Sequence, residues 1–217
     1  VGNTMIDSLL AFKDKAETSS ILDRMGLRIK DGGPKAVVDY ALLTLHRPAN
    51  VDKRDSFLDI VEGLGALSRE CPIIFPVHPR TRRSIAELRL ESYFKPFMPH
   101  PEENRSSATN GIHLTDPLGY LDFLCLMKHA KMVVTDSGGI QEETTCLGVP
   151  CVTVRENTER PVTLVGGANV LAGVRKDGIR DAVRCQFNRK GPVSVPPKWD
   201  GQASLRIVDV LLAHSRK

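Results

Sequence analysis

Short apolar runs alternate with amphipathic segments along most of this 217-residue chain. The runs are rich in aliphatic and β-branched residues, which is typical of strands that are buried on both faces of a sheet. The six runs predicted as strands are 37–46, 72–78, 111–116, 131–136, 150–155 and 168–173. Between them, apolar residues recur at helical spacing, as in 54–69, where Phe57 is followed by apolar residues three and four positions later.

This alternation predicts an α/β fold with a Rossmann-like parallel sheet of about six strands, covered by helices on both faces. Consecutive parallel strands need a crossover connection, and the helical segments supply it. In an open sheet of this kind, ligands bind outside the carboxyl ends of the strands. The residues that directly follow each predicted strand are therefore the candidate ligand contacts.

The charge balance favours a small anionic ligand over nucleic acid. The formal net charge is +4, from 30 Lys and Arg against 26 Asp and Glu, and only 5% of the residues are aromatic. No stripe of basic and aromatic residues occurs, so we expect no nucleic-acid partner. No apolar run is long enough to span a bilayer, so we also expect no membrane association. Five cysteines without a CxxC pair favour reduced thiols in a cytoplasmic protein.

The segment "TDSGG" (135–139) ends a predicted strand and opens a predicted helix. We expect the side chain of Ser137 to cap this helix, with Gly138 and Gly139 in its first turn. Backbone N–H groups are unpaired there and the helix dipole favours an anion, so a phosphate can bind where glycine leaves out the Cβ. The alternative is a tight strand–helix turn without a ligand.

Two glutamates follow these glycines. Glu143 lies one helical turn after Gly139, about 5.4 Å along the axis. A carboxylate at that distance from a bound phosphate can accept hydrogen bonds from both hydroxyls of a ribose. The alternative is that Glu143 is a solvated acid, and solvation is the expectation for Glu142.

Two other strand ends carry cations. His46 and Arg47 follow the first predicted strand and offer a titratable donor and a fixed cation to an anion. Arg160 precedes a proline and is a candidate to pair with a diphosphate. Its alternative is a surface ion pair with Glu156 or Glu159. No spacing of His, Asp or Glu suggests a metal site, so we expect none.

Six longer segments carry a set of motifs that is recognisable as a whole. They are "GNTMID" (2–7), "LLTLHRPANVD" (42–52), "PVHPRT" (76–81), "LTDPLGYLDFLCLMKHAKMVVTDSGGIQEE" (114–143), "LGVPCVTVRENTERPVTLVGGANVLAG" (147–173) and "DGQASLRIVDVL" (200–211). In these segments the chain resembles the non-hydrolysing UDP-N-acetylglucosamine 2-epimerase family. The resemblance implies the C-terminal half of a glycosyltransferase-B type fold. It also implies interconversion of UDP-GlcNAc and UDP-ManNAc by elimination and re-addition of UDP, with no cofactor.

The resemblance further implies roles for single residues. His46 takes the place of a catalytic histidine near the nucleotide diphosphate, and Phe123 that of a residue lining the uracil pocket. The other implied UDP-binding residues are Ser137, Gly138 and Gly139 at the diphosphate, Glu143 at the ribose and Arg160 at the UDP site. Arg47 and His78 are assigned regulatory or supporting roles. "PVHPRT" departs from the bacterial pattern where those members contribute to an allosteric UDP-GlcNAc site, so feedback activation stays open.

The resemblance divides the chain into three parts. Residues 1–34 are a linker and helix from a missing N-terminal domain, 35–188 the UDP-binding domain, and 189–217 a Pro/Gly-rich linker and closing helix that crosses to the N-terminal domain. Because the chain starts at Val1 rather than Met, we expect a piece of a longer protein. The resemblance implies that the intact protein is a homodimeric enzyme of polysaccharide biosynthesis. The family's acid and base carboxylates lie in the N-terminal domain, so we expect this chain to bind UDP without epimerising alone.

Two alternatives to the epimerase remain. One is a UDP-sugar glycosyltransferase domain of the same fold, against which the combination of "TDSGGIQEE" and "TERP" argues. The other is a non-catalytic UDP-binding fragment, which would bind UDP without chemistry.

Overall fold

Seven parallel strands form one sheet in the part of the chain that the structure, a computed structural model, describes. The described residues are 1–29, 36–97, 109–166 and 168–215. The domain boundary expected between residues 34 and 35 lies outside them. The strands are β1 (Ala41–Thr44), β2 (Pro72–Pro76), β3 (Phe94–Pro96), β4 (Gly111–Thr115), β5 (Met132–Thr135), β6 (Cys151–Thr153) and β7 (Asn169–Leu171). Their order across the sheet is β3-β4-β2-β1-β5-β6-β7. The predicted α/β fold with a parallel sheet is confirmed.

Helices cover both faces of this sheet. Among the described residues they are α1 (Thr4–Ala16), α2 (Ile21–Arg24), α3 (Pro48–Val51), α4 (Arg54–Gly63), α5 (Leu67–Glu70), α6 (Pro79–Glu87), α7 (Tyr120–His129), α8 (Gly138–Leu147), α9 (Val162–Val165), α10 (Lys176–Phe187) and α11 (Ala203–Ser215), with a 3₁₀ turn at Glu91–Tyr93. Successive residues of β1 enter two apolar clusters, Leu43 on the side of α4 and α10 and Leu42 on the side of α1 and α7. Burial on both faces accounts for the unbroken apolar run in this strand.

The sheet has one strand more than the six predicted. β3 is three residues long and pairs with β4 at the edge of the sheet, and Phe94 is its buried residue. A strand this short has no periodicity that separates it from a loop. The prediction of one helix over 54–69 was also wrong in part, because α4 ends at Gly63 and α5 begins at Leu67. Gly63 and Gly65 lower the helical propensity at this break.

α1 connects the sheet with the last helix. It buries Ile6 and Leu9 in the cluster that it shares with α7, and it also packs against α8. The carboxylate of Asp7 accepts hydrogen bonds from the backbone N–H groups of Ala203 at 3.0 Å and Ser204 at 2.7 Å. These are the first two residues of α11, so a side chain of α1 satisfies N–H groups that the helix itself leaves unpaired.

The rest of α11 is exposed. Of its described side chains only Ala203 is buried. Its exposed large apolar residues are Leu205, Val208, Val210, Leu211 and Leu212. In the described part of the chain, no helix has both the length and the apolar character needed to cross a membrane.

The central strand should be the most sensitive part of this fold. Leu43 is 1% exposed in β1 and Leu205 is 65% exposed in α11. We expect Leu43→Ala to lower the free energy of unfolding by about 2–5 kcal/mol, because it removes buried methyl groups and leaves a cavity. Leu205→Ala removes the same atoms from water and should change it by less than about 0.5 kcal/mol. Urea unfolding of both variants measures the difference; equal losses would contradict the assigned core.

Candidate functional site

The strand order places a topological switch point between β1 and β5. From β1 the chain continues to β2 on one side, whereas β5 is followed by β6 on the other side. Crevices for ligands form at such points, outside the carboxyl ends of the two strands. His46 and Arg47 follow β1, and the segment 136–139 follows β5. The two most prominent sequence motifs therefore meet at the place where the sheet favours a ligand.

A buried carboxylate, Asp136, joins these two strand ends. It is 0% exposed. Its oxygens accept hydrogen bonds from the backbone N–H groups of His46 at 3.1 Å and Arg47 at 2.9 Å, and from Nδ2 of Asn50 at 3.1 Å. The ring Nδ1 of His46 lies 2.8 Å from Oδ1. All of these donors come from the turn after β1, so Asp136 fixes that turn on the end of β5.

The contact with Asp136 also sets the charge and orientation of the His46 ring. Burial is the largest single effect on Asp136 and disfavours its ionised form. The hydrogen bonds from the side chain and backbone of His46 and from the backbone of Arg47, with the charge of His46, together outweigh it and keep the pKa of the carboxyl below its usual range. The same hydrogen bond raises the pKa of His46. Because Nδ1 is held by Asp136, Nε2 is the nitrogen left to face a ligand. The side chain of His46 is 55% exposed, so a ligand can reach it.

The first turn of α8 begins beside this pair. Ser137 occupies the N-cap position, but its side chain makes no capping hydrogen bond, so the expectation that it caps the helix was wrong. Its backbone N–H instead donates to Oγ1 of Thr135 at 3.0 Å. The N–H groups of the first turn have no partner within the helix, and the dipole adds positive potential there.

The two glycines of that turn face different neighbours. A Cβ on Gly138 would lie 3.8 Å from Oε2 of Glu159 and 3.9 Å from Arg160, so this side is open towards the cation. A Cβ on Gly139 would lie 2.7 Å from the methyl group of Met5. The expectation that both glycines clear space for a phosphate therefore needs correction, because the open side of Gly139 is filled by α1.

Arg160 lies over the start of α8, with a partner that the sequence did not predict. Its Nε is 2.9 Å from Oε1 of Glu142, in an ion pair without an aligned hydrogen bond. Glu142 is only 6% exposed, so the expectation that it is solvated was wrong. Neither Glu156 nor Glu159 is the ion-pair partner of Arg160. The Glu159 carboxylate instead pairs with Arg155 at 2.6 Å.

The carboxylate of Glu143 is buried between α8 and α7. It is 6% exposed, and Oε1 accepts a hydrogen bond from the hydroxyl of Tyr120 at 3.4 Å. Burial raises the pKa of Glu143. Burial and the nearby carboxylate raise the pKa of Tyr120 to about 12, so the phenol stays protonated and donates. Phe123 lies one turn after Tyr120 and packs, partly exposed, against the apolar cluster under α7.

His78 stands apart from this group. It is the N-cap of α6, and its Nδ1 accepts a hydrogen bond from the backbone N–H of Arg80 at 3.2 Å. No hydrogen bond or ion pair of the described residues joins it to His46 or to α8. A cavity of about 520 Å³ beside β3, lined in part by Lys95 and Asp116, also contains none of the residues of the switch point.

Comparison with known proteins identifies the family of this chain. The sequence model described as UDP-N-acetylglucosamine 2-epimerase matches residues 1–212. The chain belongs to this family. Its UDP-N-acetylglucosamine 2-epimerase relative from Methanocaldococcus jannaschii is 38% identical over 97% of this chain and 53% of the relative. A solved structure of the M. jannaschii enzyme in complex with UDP-GlcNAc and UDP matches with a TM-score of 0.78 and 36% identity, over 98% of this chain and 54% of that one.

Not every relative in the family acts on the same sugar. The UDP-2,3-diacetamido-2,3-dideoxy-D-glucuronate 2-epimerase of Pseudomonas aeruginosa is 35% identical over 97% of this chain and 51% of the relative. The chain thus spans about half the length of the curated relatives it matches.

Sequence reasoning missed Asp136 and Tyr120 as parts of the site of this epimerase-family chain. Asp136 carried a usable signal, because a carboxylate that directly follows an unbroken apolar strand must be paired if it is buried. Tyr120 carried none, since its contact with Glu143 joins residues 23 positions apart on two helices.

Replacing Asp136 tests the assigned electrostatics. We expect Asp136→Asn to lower the pKa of His46 towards its ordinary value of about 6.5, because the hydrogen bond to the carboxylate is the main cause of the raised pKa. NMR titration of the ring protons measures this. Since the pKa of His46 is raised in the folded state, its pairing contributes fully below about pH 6.5 while Asp136 is ionised, and the contribution is lost as the pH rises through the folded-state pKa of His46. The unfolding free energy of the variant should therefore depend less on pH there.

The matched control for this prediction is Asp52→Asn. Asp52 forms an ion pair with Arg80 at 2.6 Å on the surface, so its replacement should leave the titration of His46 unchanged. If both variants shift His46 equally, a general change in net charge explains the effect and the assigned contact is wrong.

Proposed function

We propose that this chain supplies the UDP-binding half of a UDP-GlcNAc 2-epimerase. The observation that carries the proposal is the convergence of His46, the first turn of α8 and Arg160 at the switch point of the sheet, in a chain of this family. Three sources of positive potential at one crevice suit a diphosphate. Glu143 is close enough to the same turn to accept from the ribose, and Phe123 is the proposed contact of the uracil.

Holding the nucleotide is itself a catalytic task in the proposed reaction. In the elimination step the proton on C2 leaves and the bond from C1 to the UDP oxygen breaks, which gives a 2-acetamidoglucal and UDP. Re-addition of UDP with protonation of C2 on the opposite face gives UDP-ManNAc. Negative charge grows on the diphosphate as the C1–O bond breaks, so the protonated His46 ring, Arg160 and the α8 N–H groups would stabilise the transition state. Ser137 and Gly139 contribute backbone to this cradle.

The group that moves the C2 proton is proposed to lie on the other half of the enzyme. The relatives are about twice as long as this chain, which supports a second domain. Residues 1–34 and 189–217 would connect the UDP-binding domain (35–188) to it, and the exposed apolar face of α11 is the proposed contact surface. We further propose a homodimeric, cytoplasmic enzyme of polysaccharide biosynthesis. The five cysteines, none of which forms a disulfide, suit a reducing compartment.

A second candidate substrate is supported by the relative from P. aeruginosa. That protein is named for a UDP-2,3-diacetamido-2,3-dideoxy-D-glucuronate, which shares the UDP moiety and differs in the sugar. The proposed contacts of this chain are to the UDP moiety, so they accommodate either nucleotide sugar. Offering both sugars to the catalytically complete enzyme and following epimerisation at C2 distinguishes them.

Calorimetric titration of UDP into the chain, with a glycine variant, tests the proposed cradle. Gly138→Ala should fold normally, because the nearest atoms to the new Cβ are at ordinary contact distance. The Cβ would project into the space proposed for the diphosphate, so we expect UDP to bind about tenfold more weakly, a change of about 1.4 kcal/mol. Uridine, which lacks the phosphates, should bind both proteins alike. Equal binding of UDP to both would contradict the proposed position of the diphosphate.

The same titration tests the ribose contact and the chemistry. Glu143→Gln should weaken the binding of UDP more than that of 2′-deoxy-UDP, because only UDP offers both ribose hydroxyls. Incubation of the 217-residue chain with UDP-GlcNAc should yield no UDP-ManNAc by NMR. Turnover by the chain would show that it carries its own proton-transfer groups, and absence of UDP binding would overturn the whole proposal.

A further inference from the structure

A buried network of amides and hydroxyls lies under the loop that carries Arg160. Gln141 of α8 is 0% exposed and Asn169 of β7 is 1% exposed. Oε1 of Gln141 accepts hydrogen bonds from Oγ1 of Thr158 at 2.6 Å and from Nδ2 of Asn169 at 3.3 Å. Nδ2 of Asn169 also donates to Oγ1 of Thr163 at 3.0 Å. Two buried amides thus hold two threonine hydroxyls, one on each side of Arg160.

The hydroxyls of Thr158 and Thr163 both form hydrogen bonds with the backbone of Arg160. Its N–H donates to Oγ1 of Thr158 at 2.9 Å. Its carbonyl oxygen accepts from Oγ1 of Thr163 at 2.8 Å and from the N–H of Thr163 at 3.0 Å. The main chain of this one residue is therefore fixed at its donor and at its acceptor.

The groups of the network that form hydrogen bonds fit in a single arrangement, in which Nε2 of Gln141 is buried without a partner among the described residues. Each hydroxyl has one proton, which Thr158 gives to Gln141 and Thr163 gives to the carbonyl of Arg160. Their lone pairs are then left for the N–H of Arg160 and for Nδ2 of Asn169. Oγ1 of Thr153 donates to Oδ1 of Asn169 at 2.7 Å and so fixes which way that amide points. A network with one such arrangement specifies a position as well as adding stability.

We propose that Gln141 and Asn169 are positioning residues that act through Thr158 and Thr163 to hold Arg160 over the first turn of α8. This inference rests on the proposed function, because it takes Arg160 to contact the diphosphate. The side chain of Arg160 is 42% exposed and its ion pair with Glu142 has no aligned hydrogen bond. Its Nη1 donates to the carbonyl oxygen of Glu159 at 3.3 Å, but this exposed bond joins it only to the preceding residue of the same loop, so contacts of the guanidinium do not fix the loop on the sheet. The backbone network supplies the missing constraint. Burying the two amides costs free energy, which is offset only for the groups that are hydrogen-bonded.

The test removes one hydroxyl from the network and a matched one from outside it. Thr163→Val deletes the hydroxyl between Asn169 and Arg160. Thr145→Val is the control, because Thr145 is equally buried and its hydroxyl bonds only the carbonyl of Gln141 within α8, at 2.7 Å. Thr163→Ser keeps the hydroxyl. Affinities for UDP and uridine are measured by calorimetry for each variant of the full chain, with and without Arg160→Ala.

We expect Thr163→Val to lower the affinity for UDP about fivefold, which is the effect of one typical hydrogen bond. The affinity for uridine should not change. Thr163→Ser should restore UDP binding, Thr145→Val should leave it unchanged, and Thr163→Val should have no further effect in the Arg160→Ala background. The inference would be overturned if Thr163→Val lowered the affinities for UDP and uridine equally, or if it lowered the affinity for UDP as much in the Arg160→Ala background. Either result would show a merely structural role.

Two further results separate the inference from the function on which it rests. If Arg160→Ala leaves UDP affinity unchanged, the proposed diphosphate contact is wrong, and the inference falls with it. If Arg160→Ala lowers the affinity for UDP but Thr163→Val does not, only the positioning role is wrong. Thr158→Val, whose hydroxyl is partly buried, gives the same test on the N–H side of Arg160 if Thr163→Val does not fold.

Discussion

The burial of the Asp136 carboxylate constrains the rest of the site. A charge that is fully removed from water is stable only with several donors, and here the donors come from the turn after β1. That turn must therefore close over the end of β5, and its closure gives His46 its orientation and its raised pKa. This one requirement places His46 and Arg47 at the crevice, whereas Arg160 comes from the loop between β6 and α9 and is held by other contacts.

Carboxylates partly neutralise the arginines of the site, but donors for an anion remain. Glu142 faces Arg160, and Glu159 is shared between Arg155 at 2.6 Å and Arg47 at 3.7 Å. Arg155 is held by two aligned hydrogen bonds, whereas Arg47 and Arg160 are partly exposed and make no aligned hydrogen bond with these carboxylates, so the carboxylates hold these two cations weakly. The N–H groups of the α8 first turn, in contrast, have no intrahelical partner. In the proposed function, an incoming diphosphate would gain those donors and would compete for Nε of Arg160 with a misaligned carboxylate.

The elements that the sequence predicted correctly are those whose cause is local. Strands such as β5 are buried on both faces, which leaves an unbroken apolar run, and the two glycines that open α8 mark a helix start. The strand β3 and the burial of Glu142 have non-local causes. An acid in a helix normally indicates solvent, and only a loop that returns 17 or 18 residues later covers Glu142 and brings Thr158 to Gln141. His78 shows the converse, because its strand-end position was visible in the sequence, whereas the hydrogen bond that its Nδ1 accepts from the N–H of Arg80 was not.

α1 makes the nucleotide crevice and the exposed face of α11 parts of one packed unit. Its Met5 fills the space that Gly139 leaves at the start of α8, and two positions later Asp7 holds the first residues of α11. Packed interfaces transmit a shift rather than absorb it, because interiors are dense and have few voids. At Gly139, however, a larger residue would first meet the terminal methyl group of Met5, which is 40% exposed and can move aside without displacing α1. The missing Cβ of Gly139 makes room for Met5, whereas the missing Cβ of Gly138 leaves space that is open towards Arg160.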